Sequence, residues 1–474
     1  MHYGLYLSID IWDGLKFTTR GSVGWNNSYT SNFIGAMDAK YNMEGSNVNQ
    51  ITKTNSETLH WITDFLLDYN KTFGQDHSVN ALLGYSLEEQ TYENLMGRRG
   101  NTPSNDIRYL TAGDPGTALN DNTFEEWAFL SVFGRAGYSY KDKYIFSGTL
   151  RRDGTSRLVG EKYGVFPSVS AAWRIREESF MQQFNWLNEL KLRASWGTVG
   201  NVLSIAPYGT ATYLSQRNAV LNQQVVVGYT AANAVNTDLK WESTTKKNIG
   251  LDVTLLKSTV YLMSDFYIED THDLLFGQPI ATSVGLSGSP YVNAGHIRNT
   301  GIDLELGYKK TIGDWSYDVN ANLSHVTNKV IDLEGRGLMI DTNNNTAIEE
   351  GYPVGSFFGY KTNGLIRTQS DLDNHTQFSA GSAIGDIWYL DVNGYDADGK
   401  LTGKPDGKID AADRAFFGKV RPDLTYGISG QVGYKNFTLQ LQLQGVQGID
   451  KYMKSGTWAT DMFDGEANME PIIF

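Results

Sequence analysis

The sequence predicts an all-β fold, an antiparallel β-barrel of the kind that crosses a membrane with its strands. Three observations predict it: segments in which apolar and polar residues alternate, short turns that alternate with long polar connections, and aromatic residues beside the short turns. Successive residues of a strand project to opposite faces of a sheet. Each alternating segment therefore predicts a strand with one apolar and one polar face.

The clearest alternating segment runs from Asn436 to Gln444. Its apolar set is Phe437, Leu439, Leu441 and Leu443, and its polar set is Thr438, Gln440, Gln442 and Gln444. A soluble sandwich strand also alternates, but neutral Gln and Asn suit the aqueous lumen of a barrel. On this ground the sequence favours a strand whose polar face lines the lumen of a barrel.

Further strands are predicted wherever this pattern or strand-forming composition returns. They are Leu5 to Trp12, Lys16 to Trp25, Leu59 to Tyr69, Val79 to Glu88, Trp127 to Tyr140, Tyr144 to Arg152, Phe166 to Ile175, Leu190 to Val199, Asn248 to Leu255, Val260 to Ile268, Ile302 to Tyr308, Trp315 to Leu323 and Leu424 to Tyr434. The total is about 14 strands, many longer than the five or six residues usual in globular proteins.

The connections alternate strictly in length. Short links are predicted at Asp13-Gly14, Lys71 to Asp76, Lys141-Asp142, Lys257-Ser258, Lys310 to Asp314 and Lys435-Asn436. Long polar stretches are Asn26 to Ser56, Thr91 to Phe124, Asp153 to Gly164, Gly200 to Lys240, Asp270 to Ala294 and Asn328 to Asp423. The link from Arg176 to Asn188 takes a short-link position and contains a predicted short helix, Glu177 to Phe184. Outer-membrane barrels have this asymmetry, with short periplasmic turns and long extracellular loops.

Aromatic residues cluster beside the short links. They are Trp12, Tyr138, Tyr140, Tyr144, Tyr308, Trp315, Tyr317, Tyr434 and Phe437. Aromatic residues form strands well, which is one explanation. Their position next to the turns instead favours an aromatic girdle at a membrane interface.

Composition excludes several other classes. A net charge of -13 argues against a nucleic-acid partner, which requires clustered Lys and Arg. The absence of Cys excludes disulfides and Cys-ligated zinc. No stretch approaches the roughly 20 apolar residues of a spanning helix, but barrel strands give no such signal. Residues Met1 to Ser8 lack the features of a signal peptide. The chain is therefore either cytoplasmic or a fragment.

Catalytic patterns are weak, and we expect no catalytic residue, no cofactor and no metal site. The seven histidines, His2, His60, His77, His272, His296, His325 and His375, show no metal-protease spacing. Gly285 to Gly288 has the wrong spacing for a hydrolase elbow. The segment from Gly403 to Ile409 has three residues rather than four between its glycines and lacks the Mg²⁺-binding hydroxyl of a phosphate loop.

The acidic run from Asp391 to Asp413 has two interpretations. Its carboxylates, at Asp391, Asp396, Asp398, Asp406, Asp410 and Asp413, could converge on Ca²⁺, although no register reproduces an EF-hand loop. Asp and Gly are also ordinary turn formers, and the sequence favours a solvated loop.

Residues that could contact a ligand are suggested only by their position in a loop or on the polar side of a strand. The substrate-binding residues are unknown. The loop aromatics Tyr229, Tyr291, Trp388 and Tyr389 could stack on a sugar ring, anchor a partner or pack the loops themselves. Gln440, Gln442, Asn320 and Asn322 are candidates for the lumen because they lie on the polar side of their strands.

Several motifs resemble the barrel of SusC/RagA-type TonB-linked outer-membrane transporters. They are Leu150-Arg-Arg-Asp-Gly-Thr-Ser-Arg157, Tyr163-Gly-Val-Phe-Pro-Ser-Val-Ser-Ala-Ala-Trp-Arg174, Glu178-Ser-Phe180, Leu190-Lys-Leu-Arg-Ala-Ser-Trp-Gly-Thr-Val-Gly-Asn201, Leu239-Lys-Trp-Glu-Ser-Thr-Thr-Lys246, Asn248-Ile-Gly-Leu-Asp252, Gly351-Tyr-Pro-Val-Gly-Ser-Phe-Phe-Gly-Tyr360 and Asp423-Leu-Thr-Tyr-Gly427. They occur in the family's order and cover nearly the whole chain.

The resemblance implies a barrel of about 22 strands holding a plug. It also implies import of large nutrients, glycan oligomers or peptides, with energy from TonB and a SusD-like surface lipoprotein over the extracellular loops. The expected location is the outer membrane of a Bacteroidetes-like Gram-negative cell, in contact with its lipid.

The same comparison implies missing parts. We expect residues 1–474 to be an incomplete barrel of about 14 strands, without the N-terminal extension, the TonB-contacting segment, the plug and the last strands. A middle piece of a transporter gene fits this expectation. A passive porin or surface adhesin is the alternative, and a glycan-active enzyme would need a carboxylate pair that the sequence does not single out.

Overall fold

The computed structural model describes residues 1–36, 48–278, 280, 282–286, 290–341, 345–378, 381–394 and 401–451. In this part of the chain the strands are β1 (His2–Trp12), β2 (Leu15–Ile34), β3 (Gln50–Phe73), β4 (His77–Gly100), β5 (Leu119–Tyr140), β6 (Tyr144–Thr155), β7 (Tyr163–Arg174), β8 (Leu187–Asn201), β9 (Leu214–Leu221), β10 (Gln224–Ala231), β11 (Glu242–Leu255), β12 (Val260–His272), β13 (Leu275–Gly277), β14 (Tyr291–Asn293), β15 (His296–Ile312), β16 (Trp315–Asp332), β17 (Met339–Asp341), β18 (Thr346–Ile348), β19 (Ser356–Tyr360), β20 (Thr362–Leu365), β21 (Ile387–Tyr389), β22 (Arg414–Gly418), β23 (Leu424–Tyr434) and β24 (Phe437–Gln447).

Helices are few and short. The α-helix α1 spans Gln369–Asn374, and 3-10 helices span Leu110–Ala112, Pro115–Thr117, Ile175–Glu177, Ser179–Met181, Thr282–Val284 and Ala411–Asp413. Among the described residues, no helix combines the length and the apolar content that a membrane span requires.

Fourteen strands form one sheet, in the order β1-β2-β3-β4-β5-β6-β7-β8-β11-β12-β15-β16-β23-β24. Each of its ladders with a described register is antiparallel, for example Gln50 opposite Gly100 through to Phe73 opposite His77 between β3 and β4. The order follows the chain, with only the small strands of the long connections left out. The predicted all-β antiparallel meander, with its set of strands, is confirmed.

Several strands are longer than predicted, and the predicted loops beside them are correspondingly wrong. β2 continues to Ile34 and β3 begins at Gln50, so much of the polar stretch from Asn26 to Ser56 is paired strand. β4 likewise extends to Gly100. Cross-strand backbone hydrogen bonds do not require apolar side chains, so the ladder continues where the alternation of hydropathy stops.

The predicted short helix from Glu177 to Phe184 is also wrong. Two 3-10 turns, Ile175–Glu177 and Ser179–Met181, occupy this link, and Ile175 lies in the first of them instead of in β7. Forming the first turn of an α-helix is unfavourable, and this segment is too short for further hydrogen bonds to offset that free energy. Isolated i to i+3 turns form instead.

The long connections contain small sheets that the sequence analysis treated as polar loops. β9 and β10 pair in one hairpin and β13 and β14 in another. β17, β18, β19 and β22 form a four-stranded sheet, and β20 pairs with β21.

The chain divides into two compact units. The first contains Met1–Ser258 and Tyr267–His296, and the second contains Thr259–Phe266 and the described residues from Ile297 onward. In the first unit the register places Arg20, Asp64, Ser86, Ser131 and Arg151 on one face of β2 to β6, whereas their chain neighbours, such as Phe65 and Val132, lie on the other. Phe65 and Val132 are exposed large apolar residues.

The second unit shows the same division of faces. Trp315, Tyr434 and Phe437 follow one another across β16, β23 and β24 on the apolar face. Asn320 and Asn322 lie on the opposite, polar face, because strand neighbours alternate.

A buried cluster in the first unit connects three of the long connections. It contains Leu158, Phe166, Val202, Ile205, Leu239, Trp241 and Leu275, with Phe129 and Tyr291 packed against it. Only Phe166 and Leu275 of the buried members lie in strands, on β7 and β13. The connections of this unit are therefore folded around a small core of their own.

Candidate functional site

The polar face of the first unit carries a series of preformed ion pairs. Arg20 on β2 and Asp64 on β3 are register partners, and Arg20 Nε donates to Asp64 Oδ2 at 2.6 Å. On β6, Arg151 Nε donates to Asp153 Oδ1 at 2.7 Å. Residues two apart in a strand share a face, so Arg151 and Asp153 project together. Asp64 is buried, which strengthens the interaction with its arginine.

These pairs line an open cavity of about 420 Å³. Phe129 and Trp241 contribute apolar surface, and residues 200–203 of the connection after β8 form another wall. Arg151 Nη2 donates to the buried Ser131 Oγ at 2.8 Å. Arg151 cannot act as a general base for Ser131, because a guanidinium does not accept a proton. The cavity offers oriented charges and aromatic surface for recognition.

Three hydrogen bonds join the connection between β6 and β7 to the connection between β8 and β11. Arg157 Nη1 donates to the Ile205 carbonyl oxygen at 2.5 Å, and Thr210 Oγ1 donates to the Arg157 carbonyl oxygen at 3.2 Å. Trp241 Nε1 donates to the Lys162 carbonyl oxygen at 3.2 Å. Burial lowers the pKa of Arg157, and the nearby Glu125 carboxylate opposes that effect. The two connections, between β6 and β7 and between β8 and β11, are thereby fixed to one another.

The polar face of the second unit carries a hydrogen-bond network. Asn320 Nδ2 donates to Tyr261 Oη and to Glu305 Oε1, each at 2.7 Å. Asn322 and Gln442 line a separate open cavity of about 540 Å³. The lumen candidates Asn320, Asn322 and Gln442 therefore lie on the predicted face, and Gln440 pairs with Gln431 across β23 and β24.

The four loop aromatic residues named from the sequence lie in different surroundings. Tyr229 is exposed on β10, whereas Tyr291 packs against the buried cluster of the first unit. Tyr389 lies 4.7 Å from Phe378 between ring centroids. Trp388 is half-buried on β21. These four residues do not form one common site within either unit.

The carboxylates of the acidic run accept backbone N–H groups. Asp413 is fully buried, and its Oδ1 accepts from Val392 N at 2.8 Å and from Asn393 N at 3.1 Å. Asp391 Oδ2 accepts from Gly407 N at 2.7 Å. These contacts fit a structural loop, while Asp396 and Asp398 lie outside the described residues.

Histidines in the described residues form separate contacts. His60 Nε2 lies 2.8 Å from Glu88 Oε1, and His296 Nε2 lies 2.8 Å from Asp270 Oδ1. The His272 and His296 rings stack with centroids 4.1 Å apart. Over the part of the chain that the structure describes, no group of three or more His, Asp or Glu residues is arranged to hold a metal ion.

The sequence did not single out the charged residues that line the cavity of the first unit. Arg20, Asp64 and Arg151 were visible as charged residues inside predicted strands, and that position was the available signal. Which arginine meets which carboxylate depends on the register between strands. The contacts of Arg157 depend on how the connections fold, and no local pattern predicts them.

An antiparallel meander with an exposed apolar face and a polar face rich in oriented charges defines the class of membrane β-barrel proteins. Residues 3–446 match the family model described as TonB dependent receptor-like, beta-barrel. The chain belongs to this family, and it is a barrel portion of the SusC/RagA type, as the motifs predicted.

The relatives agree with this assignment. The chain is 31% identical over 455 residues to TonB-dependent receptor P3 of Formosa agariphila, covering 94% of this chain and 44% of that protein. It is 28% identical to TonB-dependent receptor SusC of Bacteroides thetaiotaomicron, over 66% of this chain and 31% of that protein. The chain thus spans less than half the length of these curated relatives.

A solved structure shows the same fold. The RagAB peptide transporter superposes with a TM-score of 0.80 at 23% identity, over 94% of this chain and 47% of that chain. The closed form of the RagAB peptide importer gives a TM-score of 0.78 at 24% identity, over 94% of this chain and 47% of that chain.

Proposed function

We propose that this chain is the barrel part of a TonB-dependent importer in the outer membrane of a Bacteroidetes-like cell. The imported nutrient is a glycan oligomer or a peptide, and a SusD-like surface lipoprotein cooperates with the long connections. The observation that carries the proposal is the polar face of the first unit, where Arg20, Asp64, Arg151 and Asp153 line an open cavity. Such a face in the lumen offers a hydrated path with charges that orient a polar solute.

The division of faces supports the membrane location. Phe437, Leu439 and Leu441 are exposed on one face of β24, with Thr438 and Gln440 between them. Exposed apolar strand surface is stable against lipid, and polar surface against water. In the proposed mechanism, loops and lipoprotein capture the solute, and TonB provides the energy to open a path along the polar face. The family consists of transporters and receptors, and we propose no enzymatic reaction.

Uptake of labelled oligosaccharides and peptides tests this function. The intact receptor is produced in cells with and without TonB, and uptake is measured with and without an uncoupler. We expect accumulation that needs both TonB and the proton gradient. Equal uptake without TonB would instead favour a passive porin, and surface binding without uptake would favour an adhesin. Recovery in the soluble fraction without a heat-dependent gel shift contradicts the membrane barrel.

Variants connect uptake to the polar face. Arg151→Gln combined with Asp153→Asn removes one ion pair from the cavity without changing the net charge. We expect uptake to fall several-fold while the amount of receptor in the membrane stays unchanged. The control pair Lys71→Gln with Asp13→Asn removes an ion pair at the short turns, and uptake should be unaffected.

A further inference from the structure

Two basic residues of the first unit, one on β6 and one on β11, lie on the apolar face of the main sheet. The residue on β6 is Arg152, which is opposite Val132 on β5 and Val165 on β7. Residues directly opposite each other on antiparallel strands share a face. The Arg152 side chain is exposed, and so are Val132, Val165 and its neighbour on the same face, Leu150. Arg152 therefore extends from the surface that the proposed function places against lipid.

The residue on β11 is Lys247, and it lies on the same face as Arg152. Lys247 is opposite Trp196 on β8, and Trp196 is opposite Val169 on β7. Val169 and Val165 are four residues apart in one strand, and residues an even number apart share a face. The Lys247 side chain is exposed, and Trp196 and Val169 beside it are exposed apolar residues.

Each of these two residues has a chain neighbour of the same type on the polar face, and that neighbour is neutralised. Arg151 Nε lies 2.7 Å from Asp153 Oδ1, and Lys246 Nζ lies 2.7 Å from Glu269 Oε1. In the part of the chain that the structure describes, the two basic residues of the apolar face form no ion pair. The apolar face therefore carries two positive charges that no carboxylate compensates.

Both charges lie at the same distance from the short-turn end of the sheet. Arg152 is the eighth residue after Tyr144, where β6 begins, and Lys247 is the eighth before Leu255, where β11 ends. Eight residues extend about 27 Å along a strand. With the tilt of about 40° that barrel strands have, this is roughly 20 Å along the membrane normal, within an apolar band about 25 Å tall. The two charges therefore lie near the border of the band on the side of the long connections.

An aromatic residue accompanies each charge. The Arg152 guanidinium carbon lies 4.3 Å from the centre of the Tyr163 ring, and Trp196 is opposite Lys247. Tyr and Trp are enriched where a membrane meets water, because one edge of each ring is polar. Arg and Lys keep their aliphatic parts in the apolar layer and extend their charged ends toward the headgroups. Both pairs thus suit the level of the lipid headgroups.

The charges on this face select the chemistry of the partner. Acyl chains alone would leave both cations without a counter-charge, whereas a lipid phosphate supplies one at this level. A guanidinium can donate two parallel hydrogen bonds to a phosphate, and an ammonium group binds it as a point charge. Elsewhere on the same face, Glu126 lies six residues from Val132 on β5, and Glu89 on β4 is opposite Ala128. These carboxylates would repel a phosphate, so the attraction is confined to β6 to β11.

We propose that the apolar face of β6, β7, β8 and β11, near the long connections, binds the phosphorylated headgroups of outer-leaflet lipids. Arg152 and Lys247 donate hydrogen bonds to the headgroup phosphates. Tyr163 and Trp196 pack at the border between headgroups and acyl chains. The inference rests on the proposed location of the barrel in the outer membrane and adds a specific lipid partner to it.

Native mass spectrometry of the intact receptor in detergent tests this lipid site. The probes are hexa-acylated lipid A with two phosphate groups and the same lipid without phosphate, and inorganic phosphate is the competitor. We expect the phosphorylated lipid to bind on the order of tenfold more tightly than the lipid without phosphate, because each basic residue adds attraction to an anionic headgroup. Inorganic phosphate should not displace the lipid, because it has no acyl chains to contact the apolar face.

A double variant and a matched control assign the binding to the two cations. Arg152→Gln combined with Lys247→Gln should weaken binding of the phosphorylated lipid on the order of tenfold and leave binding of the lipid without phosphate unchanged. Arg217→Gln combined with Lys361→Gln removes the same charges from exposed positions on β9 and between β19 and β20, and it should bind both lipids like the original chain. Both double variants should keep the heat-dependent gel shift of the folded barrel.

The proposal is overturned if the two lipids bind equally, or if the double variant binds the phosphorylated lipid as tightly as its control does. Displacement by inorganic phosphate also overturns it, because the site would then recognise a free anion. Lipid titration requires neither TonB nor a transported solute. Loss of uptake with intact lipid binding therefore counts against the proposed function alone, and loss of lipid selectivity with intact TonB-dependent uptake counts against the lipid site alone.

Discussion

The short turns and the long connections of the main sheet reverse the chain by different means. Asp13-Gly14 and Lys435-Asn436 do it with two residues each, and Gly14 and Lys435 have φ values of 85° and 50°. The connections of the first unit between β6 and β7 and between β8 and β11 instead share a buried cluster, with Leu158 fully buried. A short turn is thus stabilised locally, whereas a long connection depends on residues distant in sequence.

Neighbouring short turns also bond to one another. Lys71 Nζ reaches Asp13 Oδ2 at 3.2 Å, and Lys141 Nζ reaches Asp76 Oδ2 at 3.5 Å. Exposed pairs of this kind contribute little free energy. The two kinds of connection should therefore respond to different substitutions.

The largest expected effect is at the buried cluster. Leu158→Ala removes a fully buried side chain, and we expect a loss of about 2–5 kcal/mol of local stability in the connections of the first unit. Hydrogen exchange should accelerate in residues 200–212 while the backbone amides of β3 and β4 keep their protection. Leu203→Ala, at an exposed leucine of the same connection, is the control and should change exchange little. Global loss of protection would show that the connections are not a separate unit of stability.

A matched pair of glycines tests the short turns. A Cβ on Gly14 would lie 2.5 Å from the Asn70 carbonyl oxygen, whereas a Cβ on Gly74 would meet nothing within 4 Å. Both have positive φ, so both alanine variants carry backbone strain. We expect Gly14→Ala to cost about 1–3 kcal/mol more than Gly74→Ala. The midpoint of the heat-dependent gel shift measures the difference, and equal midpoints would show that the close approach of Gly14 to Asn70 does not affect stability.

The smallest expected effect is a pH dependence at the link between β7 and β8. Glu178 Oε1 accepts from Tyr144 Oη at 2.6 Å and from Trp173 Nε1 at 3.1 Å. The Tyr144 hydrogen bond, followed by that of Trp173, lowers the pKa of Glu178 below its ordinary value. A lowered pKa means that the folded state favours the carboxylate, so its stabilisation is complete above the unfolded pKa and is lost as the pH falls through the folded one.

Thermal midpoints between pH 3 and pH 7 measure this contribution. The original chain should lose more stability on acidification than Glu178→Gln, which cannot ionise. Glu161→Gln is the matched control for the charge change and should follow the original chain. If Glu178→Gln and the original chain give parallel pH profiles, the hydrogen-bonded carboxylate is not the origin of the effect.

Local sequence predicted much of the fold and little of the candidate sites. Alternation in β24 and the turn residues at Asp13-Gly14 are short-range signals, and they gave the right strands and reversals. The extension of β2 to Ile34 has no such signal, because backbone pairing with β3 holds it there. The pairing of Arg20 with Asp64 depends on the same register between β2 and β3. Neither strand's own sequence predicts that register.

By itself the sequence determined which residues form the main strands, which face of each is apolar, and where the chain turns sharply. These properties depend on strand periodicity and turn stereochemistry, which act over a few residues. Tertiary structure alone decided how far the strands extend, how the long connections share a core, and how Arg157 meets Trp127 and Ile205. Those outcomes depend on contacts between distant segments, where register and burial set the free energy.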